Sequence, residues 1–150
     1  MQYASFWRRF AAALIDSLVV KAGAFVLGSV VGAACFSAGM TEEGASAAAF
    51  VLGILFSLAY SVLFTGLVGQ TPGKMAVGIK VVLADGRVPG TGRAFLREVV
   101  GKFLSALVLC IGYFWMLWDS ERQCWHDKLV GTRVVRVVRA AQANPAVKVY

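Results

Sequence analysis

The stretch from Arg8 to Lys21, RRFAAALIDSLVVK, determines how this chain folds. It is an apolar run that nevertheless carries Asp16 in its middle and Lys21 at its end. From Phe10 to Phe36 nearly all other positions are Ala, Val, Leu, Ile, Phe or Gly, so the run lacks the polar face of a surface helix in a soluble domain. Its length exceeds the roughly 20 residues needed to cross a bilayer, and it is predicted to be a transmembrane helix.

The composition of the whole chain points the same way. Hydrophobic residues make up 59% of the sequence and charged residues 15%, against roughly 45–50% and about 25% in soluble domains. A cleaved secretory signal fits poorly, because the first apolar run is too long and is charged within. We predict one membrane domain over residues 1–139 and a flexible tail over residues 140–150.

A second apolar run, from Ser46 to Val68, contains no charged residue and is also long enough to span a bilayer. The link between the two runs holds Glu42 and Glu43 but no Lys or Arg. Basic residues lie before the first run and after the second: Arg8, Arg9, Lys74, Lys80, Arg87, Arg93 and Arg97. Because Lys and Arg favour the cytoplasmic side, the two runs are predicted to form a transmembrane hairpin with a cytoplasmic amino terminus.

A third apolar run, from Val99 to Trp118, conflicts with this topology. If it crossed the membrane, the basic carboxyl tail would lie outside, against the charge bias. Gly101 and Gly112 interrupt the run, and an aromatic cluster of the type found at headgroup level comes after them. A re-entrant or broken helix is therefore preferred, with a cytoplasmic tail. The alternative is a plain three-span protein whose tail lies outside.

Between the second and third runs the chain changes character. GQTPGK is predicted to be a turn at the cytoplasmic membrane surface, with its members at Gly69, Gln70, Thr71, Gly73 and Lys74. The next segment, the strand-like IKVVLA, ends at the turn signal Asp85-Gly86, which predicts a small cytoplasmic β-hairpin. The segment Thr132–Arg139, TRVVRVVR, has similar composition and could pair with the first strand.

Asp16 should find a partner, because an aspartate at the centre of a spanning helix costs about 2.5–3.5 kcal/mol. Arg9 lies on nearly the same helix face, but it is roughly 10 Å away along the axis, so a direct bond is not expected. We predict a shared polar network that Lys102, or His126 and Asp127, would close. Lys21 is expected to face the helix bundle rather than lipid.

Other functions have little support in the sequence. His126 is the only histidine, and no serine or cysteine has an evident base beside it, so an enzyme is not expected. Cys124 and His126 are too few ligands for a metal site, and no cofactor is predicted. The net charge of +7 is explained by topology and anionic lipids, so nucleic acid is not expected as a partner.

The ordered motifs resemble the RDD family of small bacterial membrane proteins, which is named for one arginine and two aspartates. The resemblance covers about Tyr3 to Val138: an arginine before an aspartate in the first span, GQTxGK before GIKVV, an ADG turn, and WHDxxxGTxVV. It implies that Arg9 is the family arginine, with Arg8 as the alternative. Asp16 is then the first aspartate, and Asp127 the second, for which Asp119 competes.

The resemblance implies a multi-pass protein of the bacterial inner membrane and two functional hypotheses. The first is transport of small ligands or monovalent cations, of the sodium/proton exchange type, through the Arg/Asp network. Two firm spans are too few for this alone, so a homo-oligomer or another membrane subunit would be required. Ala24, Gly28 and Gly32 form a small-residue ridge that would permit close helix approach, although packing within the chain is the preferred explanation. The second is an accessory or structural subunit in which the network is a lock.

Overall fold

Two long apolar helices begin the chain. The computed structural model describes residues 2–101, 103–104 and 111–137, in which α1 covers Phe6–Ser37 and α2 covers Glu42–Leu63. A π-helix, π1, continues α2 over Phe64–Val68. Both helices are long and apolar enough to cross a membrane, and almost none of their residues is buried within the protein. A core helix of a soluble protein would be mostly buried, so these side chains suit a lipid environment, as predicted.

The chain divides into two compact units, and the first is Ser17–Tyr60. Its two helical segments pack closely through glycines. A Cβ atom on Gly23 would lie 2.7 Å from the Phe56 ring, and one on Gly53 would lie 3.6 Å from the Ala24 methyl group. Because these contacts pair later residues of one helix with earlier residues of the other, the segments form the predicted antiparallel hairpin.

The second unit brings together Met1–Asp16 and Ser61–Tyr150, as far as those residues are described. Short elements dominate it, and none of the described elements after π1 is long enough to span a membrane. They are α3 Pro72–Ala76, β1 Ile79–Leu83, α4 Gly90–Phe95, the π-helix π2 Leu96–Gly101, α5 Ile111–Phe114, a 3-10 turn Trp115–Leu117, α6 Trp125–Val130 and β2 Thr132–Arg136.

The two strands form a small antiparallel sheet in which Ile79 lies opposite Arg136 and Leu83 lies opposite Thr132. The amino terminus adds to its other edge, where the Ala4 N–H donates to the Val134 carbonyl at 2.9 Å. The predicted pairing of the two strand-like segments is therefore confirmed. It joins β-branched residues that are distant in the chain.

The predicted local β-hairpin at Asp85-Gly86 is wrong, although the turn itself forms. The Leu83 N–H donates to the Arg87 carbonyl at 2.8 Å, and Gly86 has a φ of +83°, which glycine adopts without strain. No returning strand comes after the turn, because Pro89 lacks an N–H group and α4 begins at Gly90. The strand that pairs with β1 is β2 instead.

A compact apolar cluster holds the sheet against the first turns of α1. Its buried members are Ala4, Ala12, Ile79, Val81 and Val134. Burying its three branched side chains, Ile79, Val81 and Val134, contributes roughly 1.5–3 kcal/mol each. The sheet thus gives the start of α1 a fixed platform within the second unit.

The predicted re-entrant third segment stays a prediction. Helical structure is present at π2, at residues 103–104 and at α5, but residues 105–110 lie outside the described part of the chain. Lys102 and Cys110 lie outside it as well, and so does the predicted tail at residues 140–150.

Candidate functional site: a buried arginine–aspartate cluster

The local sequence places Asp127 in the first turn of α6. Cys124 precedes the helix in an extended conformation, and its N–H donates to Asp127 Oδ2 at 3.2 Å, which forms one half of a capping box. Gly131 ends the helix with a φ of +67°. The side chain of Asp127 is completely buried, so a charge is held where water does not reach.

Arg9 reaches this carboxylate from α1. Its Nη1 atom lies 2.6 Å from Asp127 Oδ2, and its Nη2 atom donates to the Arg122 carbonyl at 2.5 Å. Arg122 has a φ of +50°, a left-handed conformation that is uncommon for a residue other than glycine. The bond from Arg9 therefore helps to hold a strained turn just before α6.

Arg97 approaches Asp127 from π2. Its Nε and Nη2 atoms both lie 2.9 Å from Asp127 Oδ1, and its Nη1 atom lies 2.7 Å from Glu98 Oε1. The side chains of Arg97 and Glu98 are almost fully buried. Arg9, Arg97, Glu98 and Asp127 together form what we call the arginine–aspartate cluster, and their formal charges balance.

The charges of the cluster are fixed by their neighbours. Burial alone would raise the pKa of Asp127, but electrostatic interactions with Arg97, His126 and Arg9 outweigh it and hold that pKa well below its usual range. Burial would likewise lower the pKa of Arg97, and Asp127 and Glu98 raise it instead. Asp127 is therefore a carboxylate at neutral pH.

His126 and Cys124 complete the surroundings of Asp127. His126 is buried, with Nε2 3.9 Å from Asp127 Oδ1. A Cβ atom on Gly101 would lie 2.6 Å from the His126 Cβ atom, so π2 needs a glycine where it meets α6. Burial, together with the negative charge of Asp127, raises the pKa of the Cys124 thiol to about 11.

Metal binding does not fit this chemistry, although the donor atoms of Cys124, His126 and Asp127 lie within 4.8 Å of one another. A metal ion bound here would require the Cys124 thiolate and an available oxygen of Asp127. Here the pKa of the thiol is raised, and guanidinium groups already contact both oxygens of Asp127. Two cations at the site would also repel a third.

Asp16 has different partners. Its Oδ2 atom accepts a hydrogen bond from Thr71 Oγ1 at 2.5 Å, and its Oδ1 atom accepts one from the Gly73 N–H at 2.8 Å. Thr71 directly precedes α3, so the carboxylate satisfies N–H and hydroxyl groups at the beginning of that helix. A Cβ atom on Gly73 would clash with the Ala12 carbonyl oxygen, so only glycine allows this approach to α1.

The remaining turn residues fasten the same segment. Gly69 comes directly after π1 with a φ of +76°, and its carbonyl accepts from the Val81 N–H of β1 at 2.7 Å. Gln70 Nε2 donates to the Ile79 carbonyl at 2.9 Å. Lys74 Nζ lies 3.3 Å from the hydroxyl of buried Thr65. The GQTPGK turn therefore ties π1, β1 and α1 together.

The structure brings together only part of the predicted network. Arg9, His126 and Asp127 meet, whereas the two hydrogen bonds described for Asp16 go to the turn, and Lys102 lies outside the described residues. The alternatives are also separated: Arg8 donates to the Val77 carbonyl at 2.8 Å, and Asp119 pairs with Lys128.

Sequence reasoning missed Arg97 and Glu98 as members of the cluster. In the sequence Arg97 is only one of the basic loop residues that set topology. The available signal was an adjacent pair of opposite charges directly before an apolar run, where unpaired charges would be costly.

The small-residue ridge lies in the first unit. A Cβ atom on Gly28 would lie 3.7 Å from the Ala49 methyl group, and Ala24 contacts Gly53, so both contact α2. Around Gly32 no described atom lies within 4 Å of the equivalent position. Lys21 is exposed, so the expectation that it faces the helix bundle is wrong for this chain by itself.

Comparison with known proteins identifies the family. The family model described as the RDD family matches residues 3–131. YxaI of Bacillus subtilis (strain 168), an uncharacterized protein, is 31% identical over 147 residues, which cover 88% of this chain and 96% of YxaI. YteJ, an uncharacterized membrane protein of the same organism, is 32% identical over 135 residues, which cover 89% of this chain and 80% of YteJ.

A third likeness is limited to part of the chain. The proline-rich antigen of Mycobacterium leprae (strain TN) is 37% identical over 68 residues, which cover 45% of this chain and only 27% of the antigen. No solved structure matches the chain. With most of its length matched by the family model and by two relatives of similar size, the chain belongs to the RDD family of membrane proteins.

Proposed function

We propose that this protein is a structural or accessory subunit of the bacterial inner membrane, in which the arginine–aspartate cluster locks the start of α1 to π2 and α6. One observation carries this proposal. Asp127 is completely buried, and both of its oxygens are bound by guanidinium groups of different elements. The basic residues around the cluster favour the cytoplasmic side.

The electrostatics of the cluster support a lock better than a carrier. A carboxylate that carries protons needs a pKa near the working pH and a partner that it can exchange. The pKa of Asp127 is instead held well below its usual range, and its bound cations are parts of the same chain. Buried ion pairs of this kind hold a unique arrangement when complete and destabilise it strongly when one partner is lost.

The lock is tested by Asp127→Asn in the purified full chain. The substitution leaves buried Arg97 and partly buried Arg9 without their shared carboxylate, which should lower the free energy of unfolding by about 3–5 kcal/mol. Thermal unfolding in detergent measures the loss. Asp85→Asn is the control, because it breaks an exposed pair with Arg87. Equal melting temperatures for the two variants would contradict the proposal that the cluster is a structural lock.

A second candidate, cation or proton exchange, is favoured by the surroundings of Asp16. This half-buried carboxylate lies on a helix long enough to span, and it faces a turn where α2 and π1 have ended. Carriers commonly place ion sites at such interrupted helices. Thr71 contacts the carboxylate, while Thr65 and Lys74 contribute further polar groups to the turn. Exchange would require a homo-oligomer or another membrane subunit.

Proteoliposomes separate the two candidates. A carrier should move protons in response to a sodium, lithium or potassium gradient, and Asp16→Asn should abolish this flux without changing the unfolding temperature by more than a few degrees. Glu43→Gln is the control, because it removes an exposed carboxylate from the start of α2. Absence of flux in the wild-type protein with all three cations would eliminate the exchange candidate.

A further inference from the structure

An open groove of about 530 Å³ lies in the second unit, and none of the four residues of the arginine–aspartate cluster lines it. It is bordered by the end of β1, the turn after that strand, α4 with the start of π2, and the end of α6. Leu83, Leu96, Leu129 and Val130 supply its apolar walls. Neither proposed function uses this groove.

The polar side of the groove is basic. Arg87 and Arg93 both line it, and Asp85 is the only acid among the described residues that do so. Asp85 is already bound to Arg87, with 2.6 Å between the carboxylate and the guanidinium group. The charge of Arg93 is therefore not balanced by any acidic side chain described in the groove.

The apolar side of the groove continues beyond it. Leu96, which lines the groove, is half exposed, and later helical residues also present apolar side chains outward. Val100, Phe103 and Leu104 are exposed to 45%, 68% and 45%, respectively. A basic recess thus adjoins a strip of apolar surface. This arrangement is complementary to an amphiphile that has an anionic headgroup and an apolar chain.

We propose that this groove binds an anionic phospholipid of the bilayer, with its phosphate against Arg93 and the beginning of its acyl chains along Leu96 and Leu129. Charge complementarity determines the headgroup. Each basic residue near an anionic lipid contributes favourably to the binding free energy, so Arg93 favours a negatively charged headgroup. A zwitterionic headgroup would bring its own cation towards Arg93. The adjoining apolar strip favours a lipid over a soluble phosphate.

The test measures how tightly the whole chain binds each of two lipids. Native mass spectrometry of the detergent-solubilised chain, titrated with phosphatidylglycerol or phosphatidylcholine, gives the two affinities separately. We expect phosphatidylglycerol to bind more tightly, and Arg93→Gln to weaken it roughly fivefold. Leu129→Glu, which places a negative charge in the apolar wall, should weaken it further.

The matched control is Arg136→Gln. Arg136 is also exposed, but it lies opposite Ile79, at the far end of the sheet from Leu83. Equal weakening by Arg93→Gln and Arg136→Gln would overturn the site, because it would indicate general charge attraction. Equal binding of the two lipids would overturn it as well. Displacement of the lipid by glycerol 3-phosphate alone would assign the groove to a soluble phosphate instead.

Discussion

Asp127 and Asp16 are both aspartates held by groups from distant parts of the chain, but their partners differ in kind. Asp127 accepts hydrogen bonds from two guanidinium groups. Asp16 accepts them from a threonine hydroxyl and a backbone N–H. A guanidinium group only donates, whereas a hydroxyl both donates and accepts. The first arrangement therefore requires a charged carboxylate, whereas the hydroxyl of Thr71 can act as a donor or as an acceptor.

The two sites should accordingly respond to substitution in different ways. Charge is the dominant interaction at Asp127, so removing a cation there should be costly. At Asp16 the dominant contribution is the satisfaction of groups at the beginning of α3, which resembles a helix cap. Substitutions at the two sites, together with a change of pH, measure that difference.

The largest effect is expected for Arg97→Met. It removes the guanidinium that Asp127 and Glu98 share in a fully buried position, and the free energy of unfolding should fall by about 3–5 kcal/mol. Chemical or thermal unfolding of the purified protein measures it. Arg136→Met, at an exposed arginine of β2, should change little. If the two variants unfold alike, the buried charges are not what distinguishes the Asp127 site.

Gly73→Ala should come next. Its methyl group would clash with the Ala12 carbonyl oxygen and lie 2.8 Å from the Asp16 carboxylate, which forces the turn away from α1. Overpacking of this kind costs about 1–3 kcal/mol. The control is Gly92→Ala in α4, where no described atom lies within 4 Å of the added carbon. A stable Gly73→Ala protein would show that the turn is not held tightly against Asp16.

Asp16→Ala should have a smaller effect, about 0.5–2 kcal/mol, the usual cost of losing a helix cap. Asp16→Asn keeps an acceptor oxygen and should lose less than Asp16→Ala. Melting temperatures of both variants, measured beside Arg97→Met, compare the two aspartates directly. A loss of stability from Asp16→Ala as large as that from Arg97→Met would show that the two aspartates are not held by different kinds of interaction.

Mild acid should have the least effect of all. Because the pKa of Asp127 is lowered in the folded state, the stability it contributes is complete above its unfolded pKa, near 3.9, and is lost as pH falls through the folded value. Lowering the pH from 7 to about 5 should therefore leave the Asp127 contribution intact, with losses only below about pH 4. Melting curves of wild type and Asp127→Asn at each pH test this, since their difference should stay constant until that point.

Much of the fold could be predicted from local sequence patterns, whereas less of the site could. Hydrophobic length predicted α1 and α2, and composition alone suggested that IKVV and TRVV could pair. Asp85-Gly86 predicted a turn but not the absence of a returning strand, because β2 competes for β1 from far along the chain. Such long-range pairing cannot be predicted from the residue pattern near the turn.

The two aspartates show why site prediction was partial. Arg9 and Asp127 could be predicted as members of one polar network because charges in apolar surroundings need partners, and the family resemblance singled out both residues. The same rule misled for Asp16, whose described hydrogen bonds come from a hydroxyl and a backbone N–H, groups that carry no formal charge. Arg97 escaped notice because its burial depends on the winding of π2 and on Gly101 contacting His126, and neither is visible in the order of residues.

The bond between Arg9 and Asp127 spans 118 positions of the chain. During synthesis α1 is made long before α6 exists, so the arginine is present while its eventual counter-ion is still to be translated. A nascent chain that stops short of the WHD motif would display an unsatisfied cation at the head of its first helix. We expect quality-control proteases to recognise such fragments, so that this contact would distinguish chains that contain the WHD motif from those that lack it.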